Sequence, residues 1–170
     1  MIKTLLTFFI LVATLKNIAQ PPGIVTAFNK FKFLEGIWKG KGWIITDGKR
    51  QHFNETETAK IKLGGVLLQI DVYGTAVDND SLIINNGLAI INYDSPTDEY
   101  RMIFFQSDAS VAKASVKLIA GNTVEINLHR EAGYTRFVIE AKNEQWFEKG
   151  FSSSDGKIWN QFFEMKLAKQ

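Results

Sequence analysis

Polar side chains set among aromatic residues in the last quarter of the chain are the first candidates for chemistry. Glu148, Gln161 and Glu164 are interspersed in two aromatic-rich runs that are joined by Asp155-Gly156. Asp-Gly between alternating apolar runs predicts a hairpin, because glycine adopts the positive φ that tight hairpin turns need. Polar groups in an aromatic wall are typical either of a ligand cavity or of polar groups at a sheet edge.

Charged residues elsewhere could converge on this region if their strands turn them inward. Glu55 alternates with Phe53, and two arginines, Arg101 and Arg136, lie in other predicted strands. A buried carboxylate needs a partner, and either arginine could supply it. Three interpretations stay open: a structural Arg–Glu network, a polar anchor for the head group of a ligand, and an acid/base pair.

A candidate ligand-binding set follows from the aromatic residues and these charges. Ligand pockets are usually apolar walls with a few placed polar groups. The cavity candidates are Trp38, Phe53, Glu55, Arg101, Phe104, Arg136, Phe137, Trp146, Glu148 and Phe162.

Other kinds of site are disfavoured by residue type. The chain has no cysteine, which excludes disulfides, thiolate metal sites and cysteine nucleophiles. Its two histidines, His52 and His129, lie far apart and lack metal-ligand spacing. No G-x-S-x-G motif occurs. We therefore expect no catalytic triad, no metal site and no cofactor.

Composition indicates a globular chain of one main domain. The 170 residues include 45% hydrophobic residues and carry a net charge of +2, without a basic block. Nucleic-acid binding normally requires a clustered basic face, so it is not expected.

The first 19 residues are typical of a secretory signal peptide. Lys3 precedes an apolar run from Leu5 to Leu15, and Ala19 is small enough to precede a cleavage site. The run is too short to span a bilayer, so the mature chain is not expected to insert stably in a membrane. An uncleaved anchor or a buried N-terminal helix are the alternatives. The predicted location is periplasmic or secreted.

The rest of the chain predicts a helix followed by a β-barrel. Residues 20–36 form an N-terminal segment in which Ile24–Glu35 has the apolar spacing of a short helix, ended by Gly36. From residue 37 to residue 170 the period is two, with about ten short runs separated by turns, which predicts an all-β, up-and-down antiparallel barrel with a cavity. Before the closing hairpin, the runs are Ile37–Thr46, Arg50–Lys62, Val66–Val77, Gly87–Tyr93, Tyr100–Ser107, Ala112–Ile119, Thr123–His129 and Tyr134–Ala141.

Trp38, Gly40 and Gly42 share one face of the first predicted strand. Glycine inside a strand marks a bend or a close approach of another backbone. We expect Trp38 to close one end of the barrel, with its indole N–H finding a partner.

Two motifs carry a family resemblance. F-L-E-G-I-W-K-G-K-G-W at Phe33–Trp43 and W-F-E-K-G-F-S-S-S-D-G-K-I-W-N-Q-F-F-E-M at Trp146–Met165 resemble an uncharacterised exported family of bacterial calycin-like proteins. The likeness spans Lys32 to Lys166 and extends at fold level to the haem-binding nitrobindins and the lipocalins. It implies a ten-stranded barrel with a ligand cavity and no established activity. Nitrobindin-type haem binding needs an axial histidine near the C-terminal end, and none follows His129.

The leading hypothesis is an exported barrel that binds a small apolar or amphipathic ligand. The alternatives are a barrel enzyme acting on a small periplasmic metabolite through Glu148 or Glu164, a structural barrel with a filled core, and, least favoured, a haem protein. Fold analogy does not decide among them. The oligomeric state is not predicted.

Overall fold

The computed structural model describes residues 27–170, which form a closed ten-stranded antiparallel barrel. The predicted signal peptide and the first residues of the helical segment lie outside the described residues. The strands are β1 (Gly36–Thr46), β2 (Lys49–Lys62), β3 (Leu67–Ala76), β4 (Asn79–Asp94), β5 (Glu99–Gln106), β6 (Val111–Leu118), β7 (Thr123–Arg130), β8 (Gly133–Lys142), β9 (Gln145–Ser153) and β10 (Asn160–Lys169).

The strand order confirms the predicted up-and-down barrel. Each strand pairs with the next along the chain, and β1 pairs with β10 to close the sheet. The structure departs most from the predicted runs in β4, which begins at Asn79 instead of Gly87. The register between β3 and β4 shifts on either side of Thr75, so the early residues of β4 pair despite their broken apolar alternation.

The hairpin predicted at Asp155-Gly156 is present, with a longer connection than a two-residue turn. β9 ends at Ser153 and β10 begins at Asn160. Asp155 Oδ1 accepts hydrogen bonds from the backbone N–H groups of Lys157, at 2.8 Å, and Ile158, at 3.0 Å. The carboxylate therefore holds the loop together, as Asp does in turns.

The N-terminal segment closes one end of the barrel. The predicted short N-terminal helix is present within the described residues as helical residues 27–29, followed by a 3₁₀ turn over Lys32–Leu34. Gly36, which the sequence predicted to end the helix, is instead the first residue of β1 and has a φ of 143°. The side chains of Phe28, Phe31 and Leu34 are fully buried. They form an apolar plug at this end of the barrel, and removing them from water favours the closed arrangement.

Trp38 completes this closed end as expected. Its side chain is buried, its Nε1–H donates to the Leu34 carbonyl oxygen at 2.8 Å, and its ring centroid lies 5.7 Å from that of Trp146. Gly42 allows the close approach of another backbone predicted for the first strand, since a Cβ there would lie 2.6 Å from the backbone oxygen of Glu164. Between residues 27 and 170, no helix has the length and apolar character to cross a membrane.

Candidate functional site

A cavity of about 270 Å³ lies inside the barrel, beyond the plugged end. Its wall is largely aliphatic and aromatic, and its polar members are Glu55, Glu57, Glu148, Asn85 and Gln106. The apolar lining residues are Ile44, Phe53, Ile70, Val72, Ile84, Ala89, Met102, Phe104, Ile126, Phe137, Ile139, Trp146, Phe162, Phe163 and Met165.

The last two strands, β9 and β10, line the cavity, and in β10 the inward residues do not follow a strict alternation of inward and outward side chains. Trp146 and Glu148 of β9 face inward, whereas Phe147 between them is exposed on the outside. In β10 the pairing with β9 shifts between Gln161 and Phe163. Because of this irregularity, the consecutive residues Phe162 and Phe163 both line the cavity.

Three carboxyl groups form the polar part of the cavity. Glu55 and Glu57 come from the inward face of β2 and are 3% and 5% exposed, while Glu148 comes from β9 and has intermediate exposure. Glu148 Oε2 accepts a hydrogen bond from Trp146 Nε1–H at 3.1 Å. Apart from one weak amide contact to Glu55, described below, no other described side chain donates to these groups.

Glu55 is held between an amide and a glycine. Its Oε1 accepts from Asn85 Nδ2 at 3.4 Å, a long and therefore weak hydrogen bond. Its Oε2 is buried without a partner among the described residues. A Cβ at position 74 would collide with this oxygen, so Gly74 provides the space in which the carboxyl group lies.

Burial shifts the ionisation of all three groups in the same direction. The pKa of Glu55 is raised to about 8, first by loss of hydration and then by the charge of Glu148, while the Asn85 hydrogen bond acts to lower it. Loss of hydration also raises the pKa of Glu148 to about 7, opposed by the Trp146 hydrogen bond. The pKa of Glu57 is raised well above its usual value by burial, then by Glu148 and Glu55.

The two arginines predicted for the site lie outside the barrel, which corrects that part of the candidate set. Arg101 Nη1 is 3.0 Å from Asp94 Oδ2, and Nη2 is 3.2 Å from Glu99 Oε2. Met102 takes the inward position on β5, so its neighbour Arg101 points outward.

Arg136 is outward for the same reason, because Phe137 occupies the inward position next to it on β8. Its guanidinium lies over the Trp159 ring at 3.9 Å, and Nε is 3.9 Å from Glu125 Oε2. Neither arginine therefore pairs with one of the three inward carboxyl groups, and the predicted Arg–Glu network does not form inside the barrel.

Trp38, also in the candidate set, lies at the closed end and does not line the cavity. The remaining seven candidates do line it: Phe53, Glu55, Phe104, Phe137, Trp146, Glu148 and Phe162. Glu57 was not among the candidates, although the alternation of Phe53, Glu55 and Glu57 along the sequence was a usable signal for it. Asn85 carried no such signal, since it precedes the predicted start of its strand.

Groups proposed for other chemistry lie away from the cavity. The Glu164 side chain is 42% exposed, accepts from Gln161 Nε2 at 3.0 Å and lies 3.9 Å from Lys149 Nζ. His129 stacks on Tyr134 with ring centroids 4.5 Å apart, and neither histidine lines the cavity. Within residues 27–170, no group of three or more His, Cys, Asp and Glu residues is arranged to hold a metal ion.

Comparison with solved structures identifies the fold. Rv2717c from M. tuberculosis superposes with a TM-score of 0.62 at 12% identity, covering 89% of this chain and 99% of that one. The S-type phycobiliprotein lyase CPES from Guillardia theta superposes with a TM-score of 0.58 at 7% identity, covering 84% of this chain and 91% of that one. No family model and no curated protein sequence matches. The chain therefore adopts a calycin-like, ten-stranded antiparallel barrel.

Proposed function

We propose that this barrel binds one small apolar or amphipathic molecule in its interior. The observation that carries the proposal is the cavity of about 270 Å³ with an apolar wall and a few inward polar groups. Sites for small molecules usually have this composition. Protein cores are otherwise packed almost without voids larger than a water molecule, so a filled structural barrel would not leave this volume.

The aromatic side chains of the cavity supply most of the contact surface for such a molecule. Phe53 and Phe163 stack with ring centroids 5.6 Å apart, and Phe137 meets Phe163 edge to face at 5.8 Å. Aromatic residues combine a large apolar area with few rotatable bonds, which keeps the cost of ordering them small.

The proposal is tested with the apolar fluorophore N-phenyl-1-naphthylamine, whose emission rises in apolar surroundings. We expect saturable binding to the wild-type protein with one site per chain. Ala89→Phe, which places a ring in the cavity, should abolish the signal, whereas Leu88→Phe on the outer face of the same strand should leave it unchanged. Equal signals from both variants would place the dye outside the cavity and contradict the proposal.

A second candidate, acid–base catalysis, is favoured by one specific observation. Glu148 and Glu55 have pKa values raised to about 7 and about 8, and perturbed carboxyl groups in a cavity are typical of catalytic acids and bases. The lyase that shares the fold shows that barrels of this kind occur among enzymes. Hydrolysis of 4-nitrophenyl butyrate that is lost in Glu148→Gln and kept in Glu164→Gln would support it. Equal rates in all three proteins, no faster than buffer, would count against it for this ester.

Export to the periplasm or the medium is also part of the proposed function. It rests on the positive residue, apolar run and small residue within positions 1–19. The expected result is a secreted or periplasmic protein shortened at its N-terminus, measured by fractionation and intact mass. A full-length protein in the cytoplasm would refute this part.

A further inference from the structure

The cavity lining contains acidic side chains without a basic one beside them. Glu55, Glu57 and Glu148 are the titratable residues in its lining, and no lysine, arginine or histidine among residues 27–170 lines it. Carboxylates removed from water are costly unless a cation or hydrogen-bond donors meet them. Residues 27–170 therefore supply no cationic partner that these carboxylates would require when ionised.

The buried oxygen of Glu55 is the second, independent sign of a missing partner. Glu55 is 3% exposed, and its Oε2 has no hydrogen-bond donor among the described residues. Buried polar atoms in folded proteins are nearly always paired, so an unpaired oxygen on a residue that lines the cavity shows that the described residues do not complete the hydrogen bonding of this carboxyl group.

The wall around the carboxyl groups also suits a positive charge. The stacked pair of Phe53 and Phe163 lines the same cavity as Glu55. Aromatic rings attract cations through their electron-rich faces, and the effect is strongest where water is excluded. An ammonium group in this cavity would have both carboxyl groups and aromatic side chains in its lining.

We infer that the molecule bound in this cavity is an organic cation, a small amphipathic amine whose ammonium group lies among Glu55, Glu57 and Glu148 and whose apolar part lies along the aromatic wall. This inference rests on the proposed ligand-binding function and adds the chemical class of the ligand. A primary ammonium has three donors, which matches three inward carboxyl groups.

Binding of such a cation is coupled to proton release. In the empty cavity the carboxyl groups hold protons to a higher pH than usual, because burial and their mutual repulsion disfavour charge. An ammonium favours the ionised forms and so lowers their pKa values. The other polar groups facing them, Asn85 from β4, Gln106 from β5 and the Trp146 indole from β9, do not titrate in this range. Affinity for an amine should therefore rise between pH 6 and pH 8.

The test compares two probes of the same shape, 4-phenylbutylamine and 4-phenylbutan-1-ol, as displacers of N-phenyl-1-naphthylamine. The amine stays protonated over this pH range, as a lysine side chain does. At pH 8 we expect it to bind about tenfold or more tightly than the alcohol, the scale of one hydrogen bond to a charged group. Titration calorimetry in two buffers of different ionisation enthalpy should show proton release for the amine alone.

Matched variants assign the effect to the cavity. Glu55→Gln and Glu148→Gln keep the shape of the side chain and remove its charge, so the preference for the amine over the alcohol, measured by direct calorimetric titration, should fall several-fold. Glu164→Gln, on the outer face of β10, should retain the wild-type preference. A cooperative urea denaturation curve for each variant shows that it is folded.

The outcomes separate the inference from the function on which it rests. Equal affinities for the two probes, or an alcohol that binds more tightly at low pH, would overturn the cationic ligand and leave the binding barrel in place. That second result would show protonated carboxyl groups donating to a neutral ligand. Failure of the dye and both probes to bind would refute the proposed function itself.

Discussion

At the scale of single residues, the unusual feature is a set of carboxyl groups whose burial is not compensated. Glu55 has one long hydrogen bond from Asn85 and one unpaired oxygen, and Glu57 next along the same face is equally buried. Protonation is the cheapest way to relieve this in the empty protein. These residues thus lower the stability of the free barrel at alkaline pH, a cost typical of functional positions.

The first prediction is a loss of stability as pH rises. The folded pKa of Glu55 is raised to about 8 from a usual value of 4.5, so the folded protein binds more protons than the unfolded chain between these values. Unfolding free energy should fall as pH increases through this window, by up to about 1.4 kcal/mol per pH unit for each such group. Urea denaturation at pH 5, 6.5 and 8 measures it.

Glu55→Gln should flatten this dependence and be more stable than the wild type at pH 8, because the amide cannot ionise. Glu164→Gln changes a half-exposed carboxyl group on the outside and serves as the control, with a pH profile parallel to the wild type. A wild-type protein that grows more stable from pH 5 to pH 8 would contradict this assignment.

The second prediction concerns Trp38 at the closed end. Trp38→Phe removes the donor to the Leu34 carbonyl and leaves a buried acceptor unpaired, together with a small void. We expect a loss of about 1–3 kcal/mol in unfolding free energy. Trp43→Phe, whose ring lies on the outside against Arg50 at 3.9 Å, should cost less than about 1 kcal/mol. Urea denaturation of the two variants side by side is the measurement. Equal losses of unfolding free energy would show that Trp38 at the closed end contributes no more to stability than Trp43 on the outside.

At the scale of elements, neighbouring strands determine where the Glu55 carboxyl group can lie. β3 pairs with β2 so that Gly74 is opposite Glu55, and the missing side chain leaves room for Oε2. An alanine at this position would normally strengthen a strand by about 0.5–1 kcal/mol relative to glycine. Here the added Cβ would meet the carboxyl oxygen.

The third prediction is that Gly74→Ala displaces Glu55 and destabilises the barrel. The pKa of Glu55, followed by NMR titration of its carboxyl carbon, should move because the group leaves its buried position. The double variant Gly74→Ala/Glu55→Ala removes the collision and should recover stability, giving a favourable coupling energy of about 0.5–3 kcal/mol. If the two substitutions changed the unfolding free energy additively, the contact between position 74 and the Glu55 carboxyl group would not contribute to stability.

The strands also show which parts of the fold were predictable from the sequence. The period-two runs and turn residues gave ten strands and their order, because an alternating pattern and a tight turn are local properties. The inward face of β10 was not predictable, since both Phe162 and Phe163 line the cavity through an irregularity in pairing with β9. Arg101 and Arg136 were predicted to line the cavity because each could pair with a buried glutamate. The sequence did not show that Met102 and Phe137, next to them in their strands, take the inward positions.

At the scale of the whole molecule, the closed sheet joins the plugged end, the cavity wall and the carboxyl groups in one hydrogen-bonded unit. Each of the ten described strands, β1 to β10, is paired on both edges, so none of them is a free edge that could open alone. The interior combines an apolar space with three carboxyl groups, and no cationic side chain among residues 27–170 lies in its lining. An occupant that meets both should stabilise all parts of the barrel together.

The last prediction follows from this coupling. N-phenyl-1-naphthylamine at about 100 times its dissociation constant should raise the unfolding free energy by about 2.7 kcal/mol, because it binds the folded state alone. Amide hydrogen exchange should slow in strands on every side of the barrel, including β6 and β7, which hold no carboxyl group of the cavity. Ala89→Phe should show neither effect, because its cavity is filled. Protection limited to the turns, or equal stabilisation of Ala89→Phe, would mean that the dye binds the surface.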